Sequence, residues 1–173
     1  MDVMKHTVID NFLDEEYFDK LKKLCTGTVT RENHILPWYF EPNISTPDVN
    51  EDNIFYMTHL LYNSNAPINS FYDYMIPILQ KLEVICLIRV KANLYPHTEI
   101  LHEHPLHIDY KFSHSAAILS LNTCDGYTML EDGTKIDSVA NRILLFDASK
   151  KHCSTTTTNE SARINININY LQP

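Results

Sequence analysis

Residues 163–170 read Arg-Ile-Asn-Ile-Asn-Ile-Asn-Tyr, and no other stretch restricts the fold of this chain as strongly. The strict alternation has a period of two, which suits a strand and no helix. It puts Ile164, Ile166, Ile168 and Tyr170 on one face and Arg163, Asn165, Asn167 and Asn169 on the other. The apolar face needs a core to cover it. The polar face needs solvent or a cavity that supplies hydrogen-bond partners, and the alternation alone leaves both open for Asn167 and Asn169.

Further strands fill the second half of the chain: Val84 to Leu94, His107 to Phe112, Ala116 to Asn122, Tyr127 to Leu130, Thr134 to Ile136 and Arg142 to Phe146. The dipeptide Asp132-Gly133 predicts a type I′ hairpin. The first half is mixed. His6 to Ile9 reads as a strand. Asp14 then caps a helix with Glu15 and Glu16 in its first turn, Tyr17, Phe18, Leu21 and Leu24 at helical spacing, and Gly27 as its stop. A second helix is predicted from Ile68 to Leu82, with Pro77 forcing a kink or a late start. Between them, Pro37, Pro42 and Pro47 interrupt any pattern from Thr28 to Asn65. That segment reads as a long irregular loop of the kind that serves as a lid, with Trp38, Tyr39 and Phe40 either capping a site or packing. The expected fold is mainly β with flanking helices. It is a double-stranded β-helix, or jelly roll, with the N-terminal helices packed on one sheet, formed by residues 1–173 as a single domain.

Composition narrows the function. With 22 acidic against 14 basic residues, the net charge is −8. A protein that tracks phosphates needs clustered Lys and Arg, so no nucleic-acid partner is expected. No run approaches the roughly 20 apolar residues of a membrane span, and MDVMKHTVID has no secretory apolar stretch. The four cysteines, Cys25, Cys86, Cys124 and Cys153, are far apart. They read as reduced core fillers of a cytoplasmic protein, with Cys153 beside His152 open to oxidation.

Five of the nine histidines fall between His97 and His114. Two H-x-[DE] tripeptides lie there, His97-Thr98-Glu99 and His107-Ile108-Asp109. His97 follows Pro96 in a loop, whereas His107 and Asp109 occupy i and i+2 of an extended segment and leave from the same face. His152 follows the apolar strand Arg142 to Phe146 and completes a set of two imidazoles and one carboxylate. Such a facial triad holds Fe(II) and leaves positions open for chemistry. His102, His104 and His114 read as loop residues.

Arg163 comes eleven residues after His152. In this order and spacing, His107, Asp109, His152 and Arg163 resemble the motif of the 2-oxoglutarate and Fe(II)-dependent oxygenases. Residues Val8 to Glu16 are similar to the strand-to-helix opening of the prolyl-4-hydroxylase-like branch. Asn93-Leu94-Tyr95 falls where many members touch the co-substrate, Asp125-Gly126-Tyr127-Thr128 is similar to the family's glycine turn, and Asn141 to Phe146 resembles the strand before the distal histidine. The turn departs from the pattern in having one glycine and in carrying Tyr127 where Glu is common. The resemblance implies Fe(II), 2-oxoglutarate and O2 as cofactor and co-substrates, with ascorbate as an optional reductant. It implies His107, Asp109 and His152 as metal ligands, and Arg163 as the bidentate cation for the far carboxylate of 2-oxoglutarate. Tyr95 would add a hydroxyl donor there, and Asn93 or Asn165 an amide.

Three classes compete. The first is a dioxygenase that hydroxylates an unactivated C–H bond of a peptide or protein, proline foremost, while 2-oxoglutarate is decarboxylated to succinate. The second is a hydroxylase of a free amino acid or metabolite. Nucleic-acid dealkylases of this family carry a second Arg six residues after the first, a position held here by Asn169. The third is a cupin-like metal-binding module without redox turnover, which has no need of Arg163.

Overall fold

The computed structural model describes residues 5–27, 35–42 and 54–172. The alternating segment forms β11 (Ala162–Leu171) and runs through the middle of the larger of two antiparallel sheets. β11 pairs on one side with β5 (Cys86–Pro96) and on the other with β6 (Ser115–Ser120). Outside β6 come β9 (Ile143–Asp147) and β1 (His6–Ile9). Outside β5 come β3 (Tyr56–Asn63), its hairpin partner β4 (Ala66–Pro67), and β2 (Tyr39–Glu41). The smaller sheet has the order β10 (His152–Ser154), β7 (Tyr127–Leu130), β8 (Lys135–Asp137). The architecture is mainly β and consistent with a jelly roll.

Each face of β11 has its own surroundings. Ile164, Ile166, Ile168 and Tyr170 are buried in one cluster with Val90 and Ala92 of β5, and with residues of both helices, among them Leu21 and Ile78. A second cluster joins the two sheets: Ala116, Ile118, Leu144 and Phe146 from the larger meet Leu130 and Ile136 from the smaller. Asn167 and Asn169 are both buried on the polar face, so that face turns into the protein rather than to solvent.

Local chemistry explains the helices. α1 (Glu15–Thr26) begins at Asp14, whose carboxylate accepts from the Glu16 and Tyr17 amides at 3.0 and 3.3 Å. The predicted second helix is split. Pro77 lies in the first turn of α2 (Ile76–Lys81), and the residues before it, Ser70–Met75, wind as a 3-10 helix capped by Asn69. A proline ring clashes with the carbonyl four residues earlier, so the α-helix starts there and the preceding turn tightens.

Three other expectations change. Part of the Thr28 to Asn65 segment is sheet, because β2 and β3 lie in it; residues 28–34 and 43–53 fall outside the described residues. β3 was hidden because it is buried on alternating sides and shifts register at Leu60/Tyr62 against β5, which blurs a period of two. Trp38 packs against the core and donates to the Cys25 carbonyl, whereas Tyr39 and Phe40 are exposed. The Asp132-Gly133 turn is a three-residue loop, since only Gly133 has a left-handed φ (86°) and its amide donates to the Leu130 carbonyl. The two-residue turn with left-handed φ at both positions occurs instead at Ser64 (52°) and Asn65 (63°), between β3 and β4. Of the cysteines, Cys25, Cys124 and Cys153 are buried thiols and Cys86 is exposed. No helix among the described residues is long and apolar enough to cross a membrane.

The contrast between the core face of β11 and the exposed residue just before β5 makes stability testable at single positions. Ile166→Ala should cost about 2–5 kcal/mol by urea denaturation, the range for a fully buried aliphatic side chain. Ile85→Ala, at a residue 67% exposed, should cost less than about 0.5 kcal/mol.

Candidate metal centre

His107, Asp109 and His152 converge between the two sheets. Their ligand atoms all lie within 4.8 Å of one another. The segment predicted as a strand from His107 to Phe112 is a loop with one antiparallel bridge, His107 to His152, closed by two amide–carbonyl bonds of 2.9 Å. That bridge is enough to keep His107 extended, so the i, i+2 relation to Asp109 holds without a full strand.

The imidazoles are oriented for ligation. His107 Nδ1 donates to the Pro105 carbonyl and His152 Nδ1 to the Lys150 carbonyl, each at 3.2 Å. With the proton fixed on Nδ1, each Nε2 presents a lone pair. These Nε2 atoms lie 3.8 and 3.9 Å from the two oxygens of Asp109. Two bonds of about 2.1 Å meeting at one ion can span such a gap. Burial pushes His152 down to about 4 and also lowers His107, in both cases against the pull of Asp109, so both rings are neutral at pH 7. Burial alone would raise Asp109. The Arg89 guanidinium, then His152 and Asn169, outweigh it and hold the carboxyl well below the usual range. Two neutral imidazoles and an ionised carboxylate fit a divalent first-row metal.

Asp109 is gripped by the larger sheet. Arg89 donates to Oδ1 at 3.0 Å, and Asn169 and Asn167 donate to Oδ2 at 2.7 and 3.3 Å. Arg89 also bonds the Asn169 amide oxygen at 3.2 Å and lies over the Tyr110 ring.

Arg163 is 1% exposed and lies farther along the same face. It donates to Thr128 Oγ1 at 2.9 Å and to the Thr155 carbonyl at 3.4 Å, and its guanidinium is 5.6 Å from the centre of the Tyr95 ring. Its Nε is buried without a partner. Among the described residues no carboxylate forms an ion pair with it. A buried guanidinium without a counter-ion is costly, and a carboxylate ligand supplies what is lacking. Room for the Arg163 side chain itself is kept by Gly126, where a Cβ would fall 2.6 Å from both Arg163 Cδ and the Thr156 carbonyl oxygen. The single glycine of that turn is thus required by close approach.

Tyr95 is opposite Arg163 in the β5–β11 register, and Asn93 is opposite Asn165. The Asn93 amide donates to Asn165 Oδ1 at 3.0 Å, leaving Asn93 Oδ1 buried without a partner. His97 is exposed, away from the triad. His104 and His114 are buried, each with Nε2 unpartnered. His104 packs against Tyr95 with the ring centres 5.1 Å apart and the planes tilted, and burial pushes it down to about 3.

The structure adds Arg89, Lys91 and Tyr56 to the site, and gives Thr128 of the glycine turn a contact with Arg163. A signal for the first two existed. Arg89, Lys91, Asn93 and Tyr95 alternate through β5 just as the polar residues alternate through β11.

No family model matches this chain, and no curated protein matches it in sequence. Solved structures do. A Pseudomonas putida prolyl-4-hydroxylase aligns at TM-score 0.60 and 15% identity, over 98% of this chain and 94% of that one. The fold is that of the 2-oxoglutarate and Fe(II)-dependent oxygenases. A viral collagen prolyl hydroxylase from Paramecium bursaria Chlorella virus-1, solved with 2-oxoglutarate, shares this oxygenase fold at TM-score 0.57 and 14% identity, over 98% of both chains. A prolyl hydroxylase from Trichoplax adhaerens, in complex with a hypoxia-inducible-factor peptide fragment, aligns at 0.58 and 16%, over 96% of this chain and 83% of that one.

The buried neutral imidazoles predict how the metal-free protein responds to acid. A histidine whose folded value lies below its ordinary 6.5 binds its proton first in the unfolded state. Stability is therefore full above pH 6.5 and falls as pH drops toward about 4 for His152 and about 3 for His104. Asp109 acts only below the ordinary carboxylate value of 3.8, which overlaps the acid end of that window but lies below pH 5. With chelator present, the urea midpoint should be clearly lower at pH 5 than at pH 7. An unchanged midpoint would mean that these rings are not held neutral.

Proposed function

We propose that this chain is a 2-oxoglutarate and Fe(II)-dependent dioxygenase that hydroxylates an unactivated C–H bond, with a prolyl or other residue of a peptide or protein as its substrate. One observation carries the reading. A His107–Asp109–His152 triad and a buried arginine without a counter-ion lie on one polar face between the sheets. The Trichoplax structure, with its bound peptide, supports a peptide substrate. We also read α1 and α2 as an outer layer on the isoleucine face, supported by the cluster they share with β11.

In this reading His107, Asp109 and His152 hold Fe(II) through two Nε2 atoms and one carboxylate oxygen. Arg89, Asn167 and Asn169 keep that carboxylate turned toward the metal. Arg163 receives the far carboxylate of 2-oxoglutarate, with Tyr95 against its guanidinium and the Asn93–Asn165 pair lining the way to the metal end. Fe(II) with 2-oxoglutarate and O2 would supply the oxidant, one oxygen atom entering succinate as CO2 leaves and the other entering the product hydroxyl. The protein's part is to orient the ligands and to keep water from a largely buried site.

Arg163→Lys keeps the charge and loses the fork. A charged hydrogen bond contributes about 1.5–3 kcal/mol, so the apparent Michaelis constant for 2-oxoglutarate in a succinate-release assay should rise at least about tenfold. Iron binding should stay unchanged, whereas His107→Ala and His152→Ala should each lose it. Chelation of Fe(II) should abolish succinate release. Unaltered 2-oxoglutarate dependence in the lysine variant would mean that the carboxylate anchor lies elsewhere, whereas a cupin-like module would release no succinate at all.

A further inference from the structure

Lys91 is a half-buried lysine that the reading above does not use. It alternates with Arg89, Asn93 and Tyr95 along β5, so its side chain leaves from the face that carries the site. In register it is opposite Asn167, one of the donors to Asp109. Asn167 and Arg163 are four residues apart on β11, roughly 13 Å at the rise of a strand. Lys91 is thus rooted at the metal end of the cavity, and Arg163 at the opposite end.

The Lys91 ammonium is 3.2 Å from the Tyr56 hydroxyl and 5.2 Å from the centre of its ring. Tyr56 in turn stacks on Tyr95 at 5.5 Å, so the lysine is seated on the aromatic wall that reaches Arg163. Asp109 and Glu41 act on it through space, but among the described residues neither forms an ion pair with it. Asp109 is already taken by Arg89. Beside it, Asn167 Oδ1 is buried without a partner. Burial lowers Lys91 to about 8, which still leaves it mostly charged at pH 7.

Charge balance points to the missing group. A divalent metal, Asp109 and a dianionic co-substrate, set against Arg89, Lys91 and Arg163, sum to a charge of +2 in a low-dielectric cavity, and the half-buried Glu41, which acts on Lys91 only through space, offsets at most one of these. The co-substrate's oxo-acid end is neutralised where it meets the metal. We propose that Lys91 receives a carboxylate of the substrate itself, so that the molecule hydroxylated here is an acid, either a free acid or a peptide with an acidic residue next to the target carbon. The proposal rests on the oxygenase reading.

The test uses the full chain loaded with Zn(II) and 2-oxoglutarate, with the Lys91 Nζ resonance followed by NMR. The probes are matched acid and amide pairs: free L-amino acids, proline included, against their amides, and glutamate- against glutamine-containing proline tetrapeptides. At least one acid should shift the Lys91 signal saturably and bind about tenfold or more tightly than its amide. In Lys91→Met that preference should vanish while 2-oxoglutarate affinity stays within about twofold, and Lys91→Arg should restore part of it. The resonance of the unaltered protein keeps the test decisive if the methionine variant fails to fold. Free acids responding where peptides do not would assign a small-molecule substrate, and the reverse an acidic peptide; either supports a carboxylate at Lys91. The proposal is overturned if no acid outbinds its amide, or if the preference survives in Lys91→Met. A tenfold loss of 2-oxoglutarate binding in that variant would also overturn it, by giving Lys91 to the co-substrate. Failure of the unaltered protein to bind 2-oxoglutarate at all would count against the oxygenase reading, and is scored separately before any substrate probe is added.

Discussion

A carboxylate enclosed between two sheets costs several kcal/mol unless donors meet it, and Asp109 meets three. Arg89 reaches it from β5, and Asn167 and Asn169 reach it from β11. The grip anchors an irregular segment, held otherwise by the bridge to His152 and by the Asp109 amide on the Ala148 carbonyl, onto the middle strands of the larger sheet. Without it, the charge that makes Asp109 a ligand would be the charge that drives it out of the interior. The geometry of the triad thus depends on strands that contribute no ligand atoms.

Those strands can do so because β11 has a different task on each face. Its isoleucines close the apolar core, and its arginine and asparagines furnish the site. Neither face could be given up. The buried aliphatic surface, at about 25 cal/mol per Å², holds the strand in register, and the register aligns Arg163 with Tyr95 and Asn169 with Arg89. Stability and site geometry are therefore two readings of one alignment.

Much of this was legible before the coordinates. β11, α1 with its Asp14 cap, the β7 strand and the grouping of His107, Asp109 and His152 all rest on local patterns: a period of two, a capping residue, an i, i+2 pair. What stayed hidden depends on long-range partners. β3 carries buried residues on alternating sides with a register shift, so it has no clean period. Whether Asn167 and Asn169 met solvent or cavity was decided by Asp109, some sixty residues away in sequence. Arg89 and Lys91 alternate visibly with Val90 and Ala92, but nothing local tells whether that polar side meets solvent or a cavity.

The register shift at the end of the β5–β11 ladder has a consequence for how such a chain tolerates change in length. Between Asn169 and Tyr170 the partner moves from Arg89 to Leu87, so Ile88 is absorbed as a bulge. From Arg89 to Tyr95 the pairing is unbroken. Residues gained or lost before Arg89 can be taken up at the bulge and leave the cationic face in phase. A single deletion between Arg89 and Tyr95 has no such slack. It would exchange the two faces of the strand, turning Val90 and Ala92 toward the metal centre and lysine toward the isoleucines. Lineages that share this fold should therefore vary in length on one side of Arg89 and keep count on the other.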